Sequence, residues 1–198
     1  MATKTALLVV DMQKFFETMT KTCLANIQGL LSHFQSTTAP IIFTQHGHSV
    51  EEISADPSPN QLVRKWGPLG SIAKYSDDWQ LMDEIKKMST PLEGQQWPKV
   101  VAKNTYDAFI NTDLAQILEE ASVERVVVCG VMTDCCCDTT ARSAFNRGYE
   151  AWLVSDACGS ANNAQHTAGL NAFGFAFGPV LTTKEAIRNL DQEARSSS

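Results

Sequence analysis

Three consecutive cysteines, Cys135, Cys136 and Cys137, stand just past an apolar run, Val126–Cys129, that breaks at Gly130. The run reads as a buried strand, and Met132-Thr133-Asp134 leads from it into a helix. A strand that feeds a helix N-terminus presents free backbone N–H groups and the positive end of the helix dipole. That environment lowers a thiol's pKa and can hold an oxyanion. One of the three is therefore a candidate nucleophile. Neighbours on a helix point about 100° apart, so at most one faces a given pocket; residue types alone do not say which.

Other residues that could do chemistry sit at the ends of apolar runs. Asp11 closes Ala6–Val10, a continuous apolar stretch of strand length expected in the middle of a parallel sheet. Open α/β sheets place their sites outside the carboxyl ends of such strands. Lys103 follows a short strand, Lys99–Ala102. His46 and His48 follow the strand Ile41–Thr44. Between Ser49 and Ser71 the chain is polar, rich in Pro and Gly and without periodicity, which predicts a long loop of the kind that forms lids. Trp66 within it would serve as a flat wall, and Arg64 as a partner for a carboxylate or amide.

These residues need a scaffold. Helical spacing is legible over Cys23–Phe34, from an Asn111 or Thr112 cap to Glu120, over Ala161–Phe173 and over Lys184–Asp191. A short solvated helix is expected to carry Asp78, Asp83 and Glu84. Gly148 suits a left-handed helix end, and further strands are expected at Ala151–Val154 and Val180–Leu181. Strands and helices alternate throughout, which predicts a doubly wound, mainly parallel six-stranded α/β sheet with helices on both faces, Rossmann-like, in a single domain over 1–198. No Gly-x-Gly-x-x-Gly follows the first strand, so dinucleotide binding is not expected.

Composition narrows the partners. The chain of 198 residues has a net charge of −6 and no cluster of Lys or Arg, which argues against nucleic acid or an anionic membrane and for a small-molecule substrate. The start, Met-Ala-Thr-Lys-Thr, is unlike a signal peptide, and no apolar run approaches the roughly 20 residues of a membrane span. A cytoplasmic protein is expected. Six cysteines in a domain of this size suggest reduced thiols rather than a disulfide framework.

The run Gly130-Val131-Met132-Thr133-Asp134-Cys135-Cys136-Cys137-Asp138-Thr139-Thr140-Ala141 resembles the signature of the isochorismatase-like cysteine hydrolases, a superfamily that includes nicotinamidases. Two more stretches resemble it: Asp11-Met12-Gln13 with Phe15 and Phe16, and Lys103 to Phe109, Lys-Asn-Thr-Tyr-Asp-Ala-Phe. The resemblance implies Cys136 as nucleophile, Asp11 as acid/base and Lys103 as third member of a triad, set side by side by three adjacent strands. It implies an oxyanion site at the N–H groups of Met132 and Cys136, with a cis Val131–Met132 peptide. Phe16, His46, Trp66 and Tyr106 would line the substrate pocket, with Phe109 nearby, and Asp156 would be structural. Metal-bound nicotinamidases carry Asp-x-His where this chain has His46-Gly47-His48, so neither metal nor other cofactor is expected. The implied activity is hydrolysis of a small amide through a thioester, nicotinamidase-like, with isochorismate or carbamoyl and ureide hydrolysis as alternatives. Relatives are often homo-oligomers, dimers or tetramers.

Overall fold

Uninterrupted apolar runs become the centre of the sheet. The computed structural model describes residues 3–196, with strands β1 (Thr5–Val10), β2 (Ile41–His46), β3 (Lys99–Lys103), β4 (Arg125–Val131), β5 (Glu150–Gly159) and β6 (Val180–Leu181). They form one sheet in the order β3-β2-β1-β4-β5-β6, and every pairing is parallel. β1 and β4 are buried at every position, as strands covered on both faces must be.

The helices are α1 (Glu17–Thr20), α2 (Leu24–Ser36), α3 (Val50–Ser54), α4 (Gln61–Trp66), α5 (Asp83–Lys86), α6 (Leu114–Glu120), α7 (Asp138–Asn146), α8 (Asn163–Ala176) and α9 (Thr183–Ser196). Side chains alternate across the sheet and build two cores. Leu7, Val9, Phe43 and Val127 pack on one face against Ile27, Leu30, Leu31 and Phe34 of α2 and Ala186 of α9. Ala6, Leu8, Ile42 and Val126 pack on the other against Leu114 and Leu118 of α6, Ala141 of α7 and Phe173 of α8. Each fully buried Leu, Ile or Phe contributes about 1.5–3 kcal/mol. Leu30→Ala, in the middle of α2, would cost about 2–5 kcal/mol.

Three differences from the sequence reading have local causes. The stretch 49–71 is not an irregular loop: it holds α3, α4 and a 3-10 turn, Pro68–Gly70. Helices of 5 and 6 residues are too short for a period to register, but their caps are present. Ser49 and Glu52 form a capping box, and Asn60 accepts from Leu62 N–H. β5 runs on through Asp156 to Gly159 past an irregularity opposite Val128–Gly130. Asp156 Oδ1 accepts from Thr183 N–H and Oγ1–H, which anchors α9. The end of α9 reaches Ser196 rather than stopping at Asp191; the expected frayed tail falls partly on 197–198, outside the described residues.

Candidate active site

The strand order reverses between β1 and β4, and the crevice outside their carboxyl ends is where doubly wound sheets bind ligands. Two of the three expected site residues flank it: Asp11 follows β1 and Cys136 follows β4. Gly130 makes their approach possible. Its φ is +117°, and a Cβ there would lie 2.1 Å from the Val10 carbonyl oxygen. The chain then passes a cis Val131–Met132 peptide into a π-helical turn, Thr133–Cys137. The expectation of three adjacent strands fails for Lys103, which ends β3: β2 lies between β3 and β1. The long Lys103 side chain spans that gap.

The three side chains meet. Lys103 Nζ stands 2.7 Å from Asp11 Oδ2 and 3.3 Å from Cys136 Sγ, so sulfur and carboxylate lie within about 6 Å of each other. The ammonium also donates to Thr105 O at 2.9 Å. Asp11 and Lys103 are fully buried at the side chain, and Cys136 is 5% exposed. Thr44, from β2, completes the carboxylate: its Oγ1–H donates to Asp11 Oδ1 at 2.6 Å and its oxygen accepts Asp11 N–H at 3.1 Å. The three cysteines divide as helical geometry requires. Cys137 turns into the core, Cys135 borders the pocket, and Cys136 faces the ammonium.

Electrostatics correct one expectation. The helix-end environment was expected to lower the nucleophile's pKa, but burial pushes the Cys136 thiol up, Lys103 opposes this, and Asp11 adds to the rise. Burial works against the Lys103 charge, yet Asp11 and Cys136 together hold its pKa above the ordinary value. Both shifts favour the protonated forms, a thiol at Cys136 and an ammonium at Lys103.

A cavity of about 280 Å³ opens beside Cys136, lined chiefly by apolar side chains, among them Phe15, Phe16, Met19, Leu62, Ile72 and Met132. Of the expected pocket residues, Phe16, His46, Trp66 and Tyr106 border it. Trp66 Nε1–H donates to Tyr106 Oη at 2.8 Å, which closes one side. Arg64 does not reach it and donates to Gln61 Oε1. Phe109 lies in the core, stacked on Tyr149. Larger hollows of about 590 and 510 Å³ near Trp97 lie at the opposite, amino edge of the sheet and contain no buried titratable group.

His46 and His48 both face the cavity, with Nε2 atoms 3.2 Å apart. His48 Nδ1 is 3.7 Å from Glu52 Oε2. Burial lowers the pKa of His46 to about 3, and that of His48 falls for the same first reason. The donor set does not fit a metal. Protein zinc sites use three or four protein ligands, and among the described residues no group of three His, Cys, Asp or Glu side chains gathers for one. Glu52 approaches only the Nδ1 side of His48, and its carboxylate is already taken by Ser49 N–H, Asn60 Nδ2 and Asn104 Nδ2.

Sequence reasoning passed over Thr44, Gln13 and Glu52 as site supports. Gln13 is fully buried; its side chain donates to the carbonyls of His46 and Trp79 and accepts His46 N–H. Its place in the Asp11-Met12-Gln13 words was a usable signal, as was the Ser-x-x-Glu capping pattern for Glu52.

The chain belongs to the isochorismatase family: the family's domain model matches residues 5–185. It is 36% identical over 174 residues to a nicotinamidase of Arabidopsis thaliana, covering 87% of this chain and 82% of that protein. It is 26% identical over 209 residues to a ureidoacrylate amidohydrolase of Acinetobacter baylyi, covering 93% and 82%. A cysteine hydrolase of Pseudomonas syringae superposes with a TM-score of 0.81 at 27% identity, covering 96% and 93%. The protein is therefore a hydrolase of this family. Among the described residues no helix is long and apolar enough to cross a membrane.

Proposed function

We propose that the protein hydrolyses a small amide, nicotinamidase-like, with Cys136 as nucleophile, Asp11 as acid/base and Lys103 as the cation that steadies both. The supporting observation is one ammonium at 2.7 Å from a buried carboxylate and 3.3 Å from a thiol, beside a cavity of about 280 Å³ with room for a single-ring amide. Identity of 36% to a plant nicotinamidase supports the substrate class.

The thiol is protonated at rest, so attack and proton transfer go together. As sulfur bonds to the amide carbon, its proton passes to Asp11, and the carbonyl electron pair moves to oxygen. The N–H groups of Met132 and Cys136 receive that oxyanion. Asp11 then delivers the proton to the departing nitrogen, the C–N bond breaks, and a thioester remains. Water loses a proton to Asp11 and attacks the thioester; the C–S bond breaks and sulfur recovers the proton. Lys103 stays charged throughout and offsets negative charge as it moves between carboxylate and sulfur. All six thiols are free, which suits a reducing compartment such as the cytoplasm.

The test is an ammonia-release screen over nicotinamide, ureides and simple amides, with isochorismate in parallel and Cys136→Ala as control. Ammonia from nicotinamide, absent with the variant, supports the reading. Isochorismate consumed equally by both proteins, with ammonia from no amide, would overturn it.

A further inference from the structure

Contacts from one corner of the fold converge on the turn that carries Met132 and Cys136. Met132 O accepts Cys135 N–H and Cys137 N–H at 3.1 Å each. The next residue, Thr133, is fully buried, and its hydroxyl lies 3.0 Å from Gly159 O and 2.8 Å from His166 Nδ1. Asp134 accepts from Ser160 Oγ–H, and α8 comes so near that a Cβ on Gly169 would stand 2.9 Å from Asp134 Cα. Gly159, Ser160, His166 and Gly169 all belong to the end of β5 and the first half of α8. Asn162 fixes that helix start by accepting Gln165 N–H at 2.9 Å. The proton count at Thr133 assigns the donor. A hydroxyl has one proton to give, and here both neighbours stand at hydrogen-bond distance. The Gly159 carbonyl has none, so Thr133 Oγ1–H points to it and His166 supplies the second bond from a protonated Nδ1. The relay runs from α8 through the turn to β5. His166 itself is half-buried and does not border the cavity.

We propose that His166 is a positioning residue for the oxyanion site: through Thr133 it holds the turn so that the N–H groups of Met132 and Cys136 keep their aim. This rests on the amide-hydrolase reading and adds to it a residue outside the pocket on which activation of the carbonyl depends. Donors aimed at a developing charge are effective because they need not move as that charge appears. Without the His166 bond the turn loses an anchor one residue from Met132. The loss falls on the transition state, where the substrate oxygen is charged, and hardly on the bound amide, whose carbonyl is neutral. Reactions of the thiol that build no oxyanion are left as they were.

The test is steady-state kinetics of the full chain on nicotinamide, or on whichever amide releases ammonia in the screen. His166→Leu should lower kcat and kcat/KM together by roughly tenfold, the worth of one hydrogen bond, with KM within about twofold of the parent. His166→Asn, whose amide nitrogen falls near the Nδ1 position, should restore most of the rate. Thr133→Val should be at least as damaging as His166→Leu, and combining the two should cost nothing more, since they share one relay. Alkylation of Cys136 by iodoacetamide, a displacement at saturated carbon, should run at the parental rate in His166→Leu. Should that variant fail to fold, nitrogen NMR of histidine-labelled parent reads the same bond: the His166 proton should sit on Nδ1, and its signal should shift in Thr133→Val. An unchanged kcat in His166→Leu, no rescue by asparagine, alkylation slowed as much as turnover, or a proton on Nε2 overturns the proposal and leaves the amide-hydrolase reading standing. Ammonia from no amide with the parent protein ends that reading and this inference with it.

Discussion

Near each end of β4 a cation is buried against carboxylate, and the company each keeps differs. At the amino end, Arg125 is 5% exposed; it donates to Glu150 and Glu193 at 2.7–2.8 Å and lies 4.2 Å over the Trp152 ring. At the carboxyl end, Lys103 meets Asp11 and Cys136. A guanidinium keeps its charge and its carboxylate partners here reach solvent, so no proton changes hands. Beside Lys103 a thiol proton and a carboxylate that can take it are both buried. Buried charge is common to both places; only the Lys103 cluster also holds a buried thiol beside the carboxylate.

Mutations can break this contrast. Cys136→Ala should reduce amide turnover by roughly 10⁴-fold or more and leave the thermal midpoint nearly unchanged; a variant with substantial residual activity would end the nucleophile assignment. Lys103→Met should lower kcat by roughly 10²–10³-fold, as loss of one preorganised charge does. Arg125→Met should do the reverse, costing about 1–3 kcal/mol because a buried ion pair with half-exposed partners is broken, while kcat/KM stays within about twofold of the parent. Denaturant unfolding and steady-state kinetics on the same preparations check both halves.

Thiol chemistry sharpens it. Asp11 raises the Cys136 pKa, so Asp11→Asn should lower that pKa and speed alkylation of Cys136 by iodoacetamide at pH 7 while turnover collapses. In the parent, alkylation should be slow at neutral pH and accelerate only in alkaline solution. Slower alkylation in Asp11→Asn would show that the carboxylate does not act on the sulfur. The smallest effect is expected at the pocket rim. Trp66→Phe removes the bond to Tyr106 from a half-exposed ring and should raise KM by about two- to fivefold, little more than one exposed hydrogen bond.

Much of the fold was legible because its signals are local. The apolar runs Ala6–Val10 and Val126–Cys129 could only be central strands, and Leu24, Ile27, Leu30, Leu31 and Phe34 spell one helical face. The stretch 49–71 was misread because α3 and α4 are shorter than two turns, and their caps are the only local trace they leave. In the site, Asp11, Lys103 and Cys136 were legible through three separate motifs. Thr44 and Gln13 were not, since a lone Thr inside a strand and a Gln beside one have no pattern that announces a partner.

The sequence by itself determined the alternation of strands and helices and the residue types at the strand ends, because periodicity and turn chemistry act over a few residues. Tertiary structure decided which of those ends meet. It put β2 between β3 and β1, so that Lys103 reaches Asp11 across Thr44, and it buried the sulfur deeply enough to push its pKa up. Those outcomes depend on strand order and on exclusion of water, which are properties of the packed sheet and of no single stretch of chain.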